Sequence, residues 1–544
     1  MALSEVLSMV AQLGYYEKVT GILGVVSIIL LFWKLNHEPF YPALPLAGEP
    51  PQRRWFSLSN RLRYYNDCAA LFDEAYHTAY AKKGKAVLVP SMGVHTAMIM
   101  PESAMNWAMS QPDDSLSIKK AFSELNQTKY SLGHSRYWED PWQLDLVKAH
   151  LSSILQNLIP QLNEELAAAF SKHLGTDAEN WKEIELEVIM RRVIAQATSR
   201  FIVGLPLCRD DGYLDLSYKV ILGMVTTIWA TLPFPDLIRA VTGPLASWQT
   251  RRNISRIQEH LEPLYQERIS ILESRDGQKS DPGPQDLFMM MLRFAQKKRP
   301  DEYANLGIMT RRVCAANFVA MHQSTVSVTN LILNIIGSDA EFNTIATLRD
   351  EITQVMRGTD AKGCWTKDTF TRMRKCDSVA REAMRLNFPL GTRGSMRTVL
   401  KDGLESPEGI KLQKGTTISW LASCAQVDAD RFDNPQKFDP FRFSRASKDD
   451  DDDDDDDGRS TSSHTKDAFV TTSPQYLPFG HGKHACPGRF MVDLMFKIIL
   501  AQLLTHYDLG WPEDYQGKQP PSVWQGELSE PPPGARILVK RRKV

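Results

Sequence analysis

Apolar and polar positions alternate with a helical rhythm along most of the chain. In LDLVKAHLSSILQNLIPQLNEELAAAF (144–170) and ISRIQEHLEPLYQERISILESR (254–275), apolar residues recur every three or four positions, which predicts amphipathic helices. IMTRRVCAANFVAMHQSTVSVTNLILNIIG (308–337) reads as one long helix ending near Gly337. RFMVDLMFKIILAQLLTHY (489–507) is apolar nearly all round, as a fully buried helix would be. Strand patterns are few and short: AVLVPS (86–91) and IKLQKGTTISWLAS (410–423). No internal repeat is visible.

Two stretches break the rhythm. Val19 to Trp33 is continuously apolar or small, flanked by Lys18 and Lys34 and by Tyr15 and Tyr16. A helix of that length rises about 22 Å, short of the roughly 30 Å hydrocarbon layer, and snorkelling lysines with aromatic ends make up the difference. No small-residue cleavage site follows, so an uncleaved anchor is expected rather than a signal peptide. Prolines 39, 42, 45, 50 and 51 then form a stiff spacer. Lys34, Arg53 and Arg54 outnumber Lys18 and place the body in the cytoplasm. The second stretch is the run Asp449–Asp457, nine like charges that repel one another and cannot pack. It lacks the ligand alternation and glycine turn of a calcium loop, so a solvated loop is expected. The expected organisation is therefore an anchor over 1–38 (helix about 19–33), a spacer over 39–52, and a body over 53–544 with an acidic disordered insertion at about 446–468.

Composition narrows the function. The chain has 544 residues, 43% of them hydrophobic, enough for a large core. A net charge of −1 lacks the basic excess of a nucleic-acid binder. Seven scattered cysteines without a CxxC pair point to neither a disulfide framework nor a zinc ribbon, and to a reducing environment.

One cysteine is different. FGHGKHACPGRF (479–490) frames Cys486 with glycines, basic side chains and Pro487. Proline suits the first position of a helix, so Cys486 is expected at a helix N-terminus, where amides and dipole lower a thiol pKa. Gly480, Gly482 and Gly488 let the backbone turn and approach a flat partner closely. A thiolate so held can be a nucleophile, a redox centre or a metal ligand. No motif supplies a His base or a resolving Cys, which leaves an iron ligand cradled by the loop. Upstream, Glu382 and Arg385 share one face of a helix, and Arg442 follows in the aromatic segment NPQKFDPFRF. An isolated Glu–Arg pair is usually superficial, but a second arginine can complete a buried network if every donor is satisfied.

These three pieces, in this order and spacing, resemble the cytochrome P-450 family. The loop F-x-x-G-x-[R/H]-x-C-x-G matches Phe479, Gly482, His484, Cys486 and Gly488; E-x-x-R matches Glu382 and Arg385; P-x-R-F matches Pro440, Arg442 and Phe443. The wording GKHACPGRF, RFIVGLPLCRD (200–210), the anchor and the spacer are similar to the fungal microsomal branch. The resemblance implies a mainly α fold with small β-sheets behind a transmembrane helix. It implies haem b with Cys486 as the axial thiolate of the iron and Phe479 beside the sulfur. His484 and Arg397 would face haem propionates. Lys148 is a weaker candidate, because no W-x-x-x-R lies there, and a solvated helix face is the plainer reading of it.

On the oxygen-binding side the pattern departs. The family's [A/G]-G-x-[D/E]-T-[T/S] falls on Val319 to Ser324, so His322 replaces the acid and Gln323 the alcohol. Histidine still carries protons near neutral pH; an amide donates hydrogen bonds but does not titrate. The relay then shifts to Ser324 or to water, unless Ser324 and Thr325 merely bond helix carbonyls. A reductase-independent isomerase or dehydratase on the same fold, and a haem-binding protein without turnover, stand as rivals to a monooxygenase. Lys483, Arg489, Arg372, Arg374 and Lys375 would receive an acidic NADPH-cytochrome P-450 reductase, with cytochrome b5 as a further partner. The apolar segment Val220–Leu245 matches the family's substrate lid at the membrane and suits a lipophilic substrate: a terpenoid, polyketide or alkaloid scaffold. The resemblance places the protein in the endoplasmic reticulum membrane, single-pass, with its catalytic body facing the cytoplasm.

Overall fold

The structure, a computed structural model, describes residues 39, 41–77, 82–93, 95–274, 285–357, 365–387, 393–449 and 467–543. The expected anchor at 19–33 and nearly all of the acidic insertion lie outside them. Among the described residues, no helix is long and apolar enough to cross a membrane.

Helices dominate, as the rhythm predicts. Trp142–Leu174 contains the first amphipathic segment named above, and Asp236–Glu273 contains the second as far as Glu273, with Ser274 as its cap. Their starts and those of their neighbours obey capping rules. Asp210 accepts from the Tyr213 amide at 2.6 Å to open Asp211–Thr231, and Asn305 accepts from Ile308 at 3.1 Å to open Leu306–Asn317. That last helix continues through a π turn, Phe318–His322, into Gln323–Phe342. It therefore does not end near Gly337. Gly337 lies inside the helix, where an added Cβ would meet Gln519 Oε1 at 2.5 Å, so the glycine admits a neighbouring segment rather than capping. Asn343, at φ 49°, takes the left-handed position that ends the helix.

The strands form small sheets at the periphery. In the five-stranded sheet the order is Val87–Pro90, Thr96–Ile99, Thr417–Leu421, Arg393–Val399, Leu116–Ser117; only the second and third strands run parallel. The register slips between Gly394 and Arg397, where Ser395 takes φ 54°. Lys182–Glu185, Arg536–Arg541 and Tyr507–Gly510 form a three-stranded sheet, and Val523–Gln525 pairs with Leu528–Glu530 in a hairpin. Most of the apolar core is one continuous cluster running through the long helices.

A buried ion cluster locks the helix Arg374–Leu386 to the helix Arg489–His506. Lys497 Nζ reaches Asp377 Oδ1 at 2.7 Å and Asp493 Oδ1 at 2.8 Å, while Asp377 Oδ2 accepts from the Phe469 amide at 2.6 Å. Replacing Lys497 by Met leaves two enclosed carboxylates uncompensated. Breaking a buried pair from one side costs about 3–5 kcal/mol. Lys497→Met should therefore unfold at lower urea than the parent, and an unchanged midpoint would show that the cluster contributes nothing.

Candidate functional site

Glu382 anchors the lower side of the site. Its Oε2 accepts from Arg385 Nε at 2.7 Å, and its Oε1 from Arg385 Nη2 at 2.8 Å, Arg442 Nε at 3.1 Å and the Asp439 amide at 3.1 Å. The remaining donors are used as well. Arg385 Nη1 bonds the carbonyls of Gln426 (2.6 Å) and Pro435 (2.8 Å), and Arg442 Nη1 bonds that of Asp433 (2.8 Å). Phe432 lies under both guanidiniums, 4.8 Å from Arg385 and 5.9 Å from Arg442. The Glu–Arg–Arg network expected from the spacing is thus formed, fully buried at Glu382 and Arg385. Gln426 carries it toward the cysteine: its Nε2 donates to the Arg385 carbonyl and its Oε1 accepts from the Leu477 amide. Neither Gln426 nor Phe432 is marked by any motif.

From Leu477 the chain turns into the cysteine loop. Gly480 and Gly482, both at φ 66°, take the left-handed conformations that the loop requires. The Cys486 amide donates to the Phe479 carbonyl at 2.7 Å, closing the loop, and the Phe479 ring stands edge-on to Phe469 at 5.2 Å. The helix begins at Arg489 with Gly488 as its cap, so Pro487 precedes the cap and does not occupy the first helical position. The expected lowering of the thiol pKa is also corrected. Burial pushes the Cys486 thiol up, against the Gly488 and Arg489 amides and the Arg489 guanidinium. Desolvation of the sulfur outweighs the partial charges of a helix start. Such a thiol is a poor free nucleophile, whereas a metal bound directly to sulfur deprotonates it outright.

Three basic residues meet the loop. Arg397 is 2% exposed, delivered by the bulge at Ser395, whose carbonyl accepts from Nη1 at 2.8 Å. Among the described residues it has no ion pair, and burial, opposed only by the charge of Asp113, brings it down to about 10. His484 Nε2 lies 3.0 Å from Asp113 Oδ1. Burial lowers its pKa, with Arg397 adding to that and Asp113 opposing. Asp113, in turn, is held below the carboxylate range by His484 and Lys483 despite burial. Lys148 is exposed, as a solvated helix face would be, yet its Nζ donates to the Lys483 carbonyl at 3.1 Å and so reaches the loop.

Above, the long helix is buried on both sides of its π turn, but Phe318, Val319, Ala320, His322 and Gln323 keep accessible surface. Protein encloses Cys486 and His322 almost completely, yet both retain such surface, which means internal space beside each. His322 Nδ1 and Gln323 Oε1 are buried without a partner. Ser324 is buried, and Thr325 Oγ1 bonds the Met321 carbonyl at 2.8 Å, the plain structural role. π turns recur at functional sites because they open the helix ladder locally.

The implied haem fits this set. A thiol at a metal-accepting position, a buried guanidinium lacking a counter-ion and unpartnered polar atoms beside internal space together suit a flat, dianionic iron ligand. The network beneath should be intolerant of charge-conserving change. Arg385→Lys keeps the charge but cannot make the two parallel bonds to Glu382 and the two carbonyl bonds together. It should lose most bound haem on purification, measured as haem per protein; parental haem content would show that the fork is dispensable.

The comparisons with known proteins agree with that geometry. The family model described as "Cytochrome P450" matches residues 72–539. "Cytochrome P450 monooxygenase tenB" of Beauveria bassiana is 94% identical over 544 residues, covering 100% of both chains. "Cytochrome P450 monooxygenase fumoB" of Cordyceps fumosorosea is 61% identical, again covering 100% of both. Among solved structures, the retinoic acid-bound cyanobacterial CYP120A1 superposes with a TM-score of 0.61 over 92% of this chain and 100% of its own, at 16% identity, a likeness of fold alone. A cysteine loop of this form, carried on this fold and matched over nearly the whole chain, has one home: the protein belongs to the cytochrome P450 family.

Proposed function

We propose that this cytochrome P450 monooxygenase oxidises a lipophilic small molecule of fungal secondary metabolism, by hydroxylation or multistep oxidation, with O2 and electrons from a flavoprotein reductase. One observation carries the site reading: the glycine loop that holds a desolvated thiol also carries His484, which lies within electrostatic reach of Arg397, a buried arginine that no carboxylate bonds. Cys486 would ligate the haem iron, and Arg397 with His484 would hold the propionates. Lys148 braces the loop through the Lys483 carbonyl. Bound there, haem supplies the O2-activating chemistry. The protein's own contribution is to hold the sulfur dry, to pin the loop through Gln426, and to place His322, Gln323 and Ser324 at the π turn.

The redox partner is read from charge. Lys483 is exposed beside the loop, and Arg372 and Arg374 are exposed at the start of the Glu382 helix, a basic face for an acidic reductase. Replacing Cys486 by Ser should abolish the red-shifted Soret band of the reduced CO complex, the one that names the family, because that shift requires a thiolate ligand. A variant that keeps the band removes Cys486 as ligand. In the parent enzyme, product formed without any reductant would favour the isomerase reading instead.

The membrane reading rests on surface as well as on the 19–33 run. Leu237, Val241, Leu245 and Trp248 are 61–73% exposed and follow a spacing of four, four and three residues on one helix face, with Phe234 just before them. Leu58 and Leu62, on the helix Leu58–Asn66 that follows the spacer, are exposed too. Arg61 between them reaches the Gly93 and His95 carbonyls, and Arg239 meets His95, so both apolar sets belong to one side of the molecule. That side suits an endoplasmic reticulum bilayer from which the substrate enters. A nitroxide at position 245 should show the oxygen accessibility of a bilayer, and one at position 259 that of water; equal values would remove the contact.

A further inference from the structure

The π turn raises a chemical problem that its own residues leave open. A monooxygenase needs protons delivered beside His322, and the amide at position 323 has none to give. Outside its own helix, the turn packs chiefly against the helix Leu186–Ile202. That helix presents Glu187 and Arg191, an i, i+4 pair closed at 2.8 Å between Arg191 Nη2 and Glu187 Oε1. Both act electrostatically on His322, Glu187 favouring its charged form and Arg191 opposing it.

Two further elements converge on the pair. The Arg191 guanidinium lies 4.1 Å over the ring of Tyr218, which the helix Asp211–Thr231 supplies, and its Nε is buried without a partner. Glu530 ends the hairpin strand Leu528–Glu530 and lies within electrostatic reach of Glu187 and Tyr218. On a helix that packs against the π turn, Arg191 thus touches Glu187 and Tyr218, while Glu530 and His322, whose Nδ1 has no partner, lie within electrostatic reach of Glu187. A structural ion pair needs only Glu187 and Arg191. It explains neither the second carboxyl nor the histidine.

We propose that Glu187 and Glu530 supply protons to His322, which delivers them at the π turn, with Arg191 as a positioning residue that holds Glu187. This rests on the monooxygenase reading above. The Glu530 carboxyl passes its proton to the Glu187 carboxylate, directly or through a water. Glu187 protonates the unpartnered ring nitrogen of His322, and the imidazolium releases a proton from its other nitrogen into the internal space. Glu530 then takes a new proton from solvent, so no charge accumulates. Burial and the neighbouring Glu187 push Glu530 up to about 7, which keeps it partly protonated at neutral pH. Burial lowers His322, which makes its charged form a ready donor. Arg191 stays charged throughout and cannot carry the proton itself.

The experiment uses the full-length enzyme with its reductase, in parent, Glu187→Gln, Glu187→Asp and Glu530→Gln forms. His322 is titrated by NMR of ¹³Cε1-histidine, its resonance identified by its loss in His322→Asn, and product per reductant is measured with hydrogen peroxide assayed in parallel. Glu187→Gln should lower the His322 pKa by about one unit and cut product per reductant about 10-fold, the electrons appearing as peroxide. Glu187→Asp should restore most of both. In the parent, the peroxide fraction should rise as pH passes through about 7, where Glu530 loses its proton, and Glu530→Gln should flatten that rise. A His322 titration unmoved by Glu187→Gln overturns the proposal. So does a moved titration with product per reductant unchanged, or an equally steep rise in Glu530→Gln. The reduced CO band, read in every variant, reports the Cys486 assignment separately.

Discussion

The carboxylate of Glu382 is the constraint on which the lower half of the molecule depends. Removing a charge from water is costly, and the attraction of one arginine rarely recovers that cost. Here two guanidiniums and a backbone amide converge on the same two oxygens, and the arginines' other donors end on carbonyls of the 426–437 segment. Each member is tolerable only because the others are present. The segment carrying those carbonyls is therefore held in one arrangement, and Gln426 transmits that arrangement to Leu477, where the cysteine loop begins. The position of the sulfur follows from a buried acid many residues away.

The two sides of the site are built on opposite principles. Below, donors and acceptors are matched almost completely, which fixes the loop through its left-handed glycines and the Phe479 carbonyl. Above, the π turn leaves His322 and Gln323 with unmatched polar atoms beside internal space. Unmatched buried groups destabilise a fold. The same helix leaves Asn317 Oδ1 and both polar atoms of Asn330 without partners as well, so its polar positions are unmatched on both sides of the π turn. Arg397 differs: its guanidinium bonds the Ser395 carbonyl and the Met109 sulfur, yet among the described residues it has no ion pair, and burial lowers its pKa.

Local pattern was sufficient wherever a residue's role depends on its neighbours along the chain. The helical rhythm over 144–170 and 254–273, the strands near 87 and 417, and the spacing of Glu382 with Arg385 are short-range properties, and the structure reproduces them. The order of Glu382, Arg442 and Cys486 was enough to identify the family, because a thiolate loop braced by this network tolerates few alternatives.

Tertiary structure decided the rest. His484 meets Asp113 across 371 positions, and Gly337 makes room for Gln519, so neither the loop's acid nor the true end of the long helix was legible from nearby residues. Glycine and proline spacing placed Cys486 at a helix start with a lowered pKa. The enclosure that reverses the shift comes from side chains gathered by the whole fold, and desolvation is a property of that gathering. The sequence by itself determined which residues can do chemistry and in what order they occur. Only the packed chain decided their charge states and partners, because electrostatic cost is set by everything within several ångströms and hardly at all by distance along the chain.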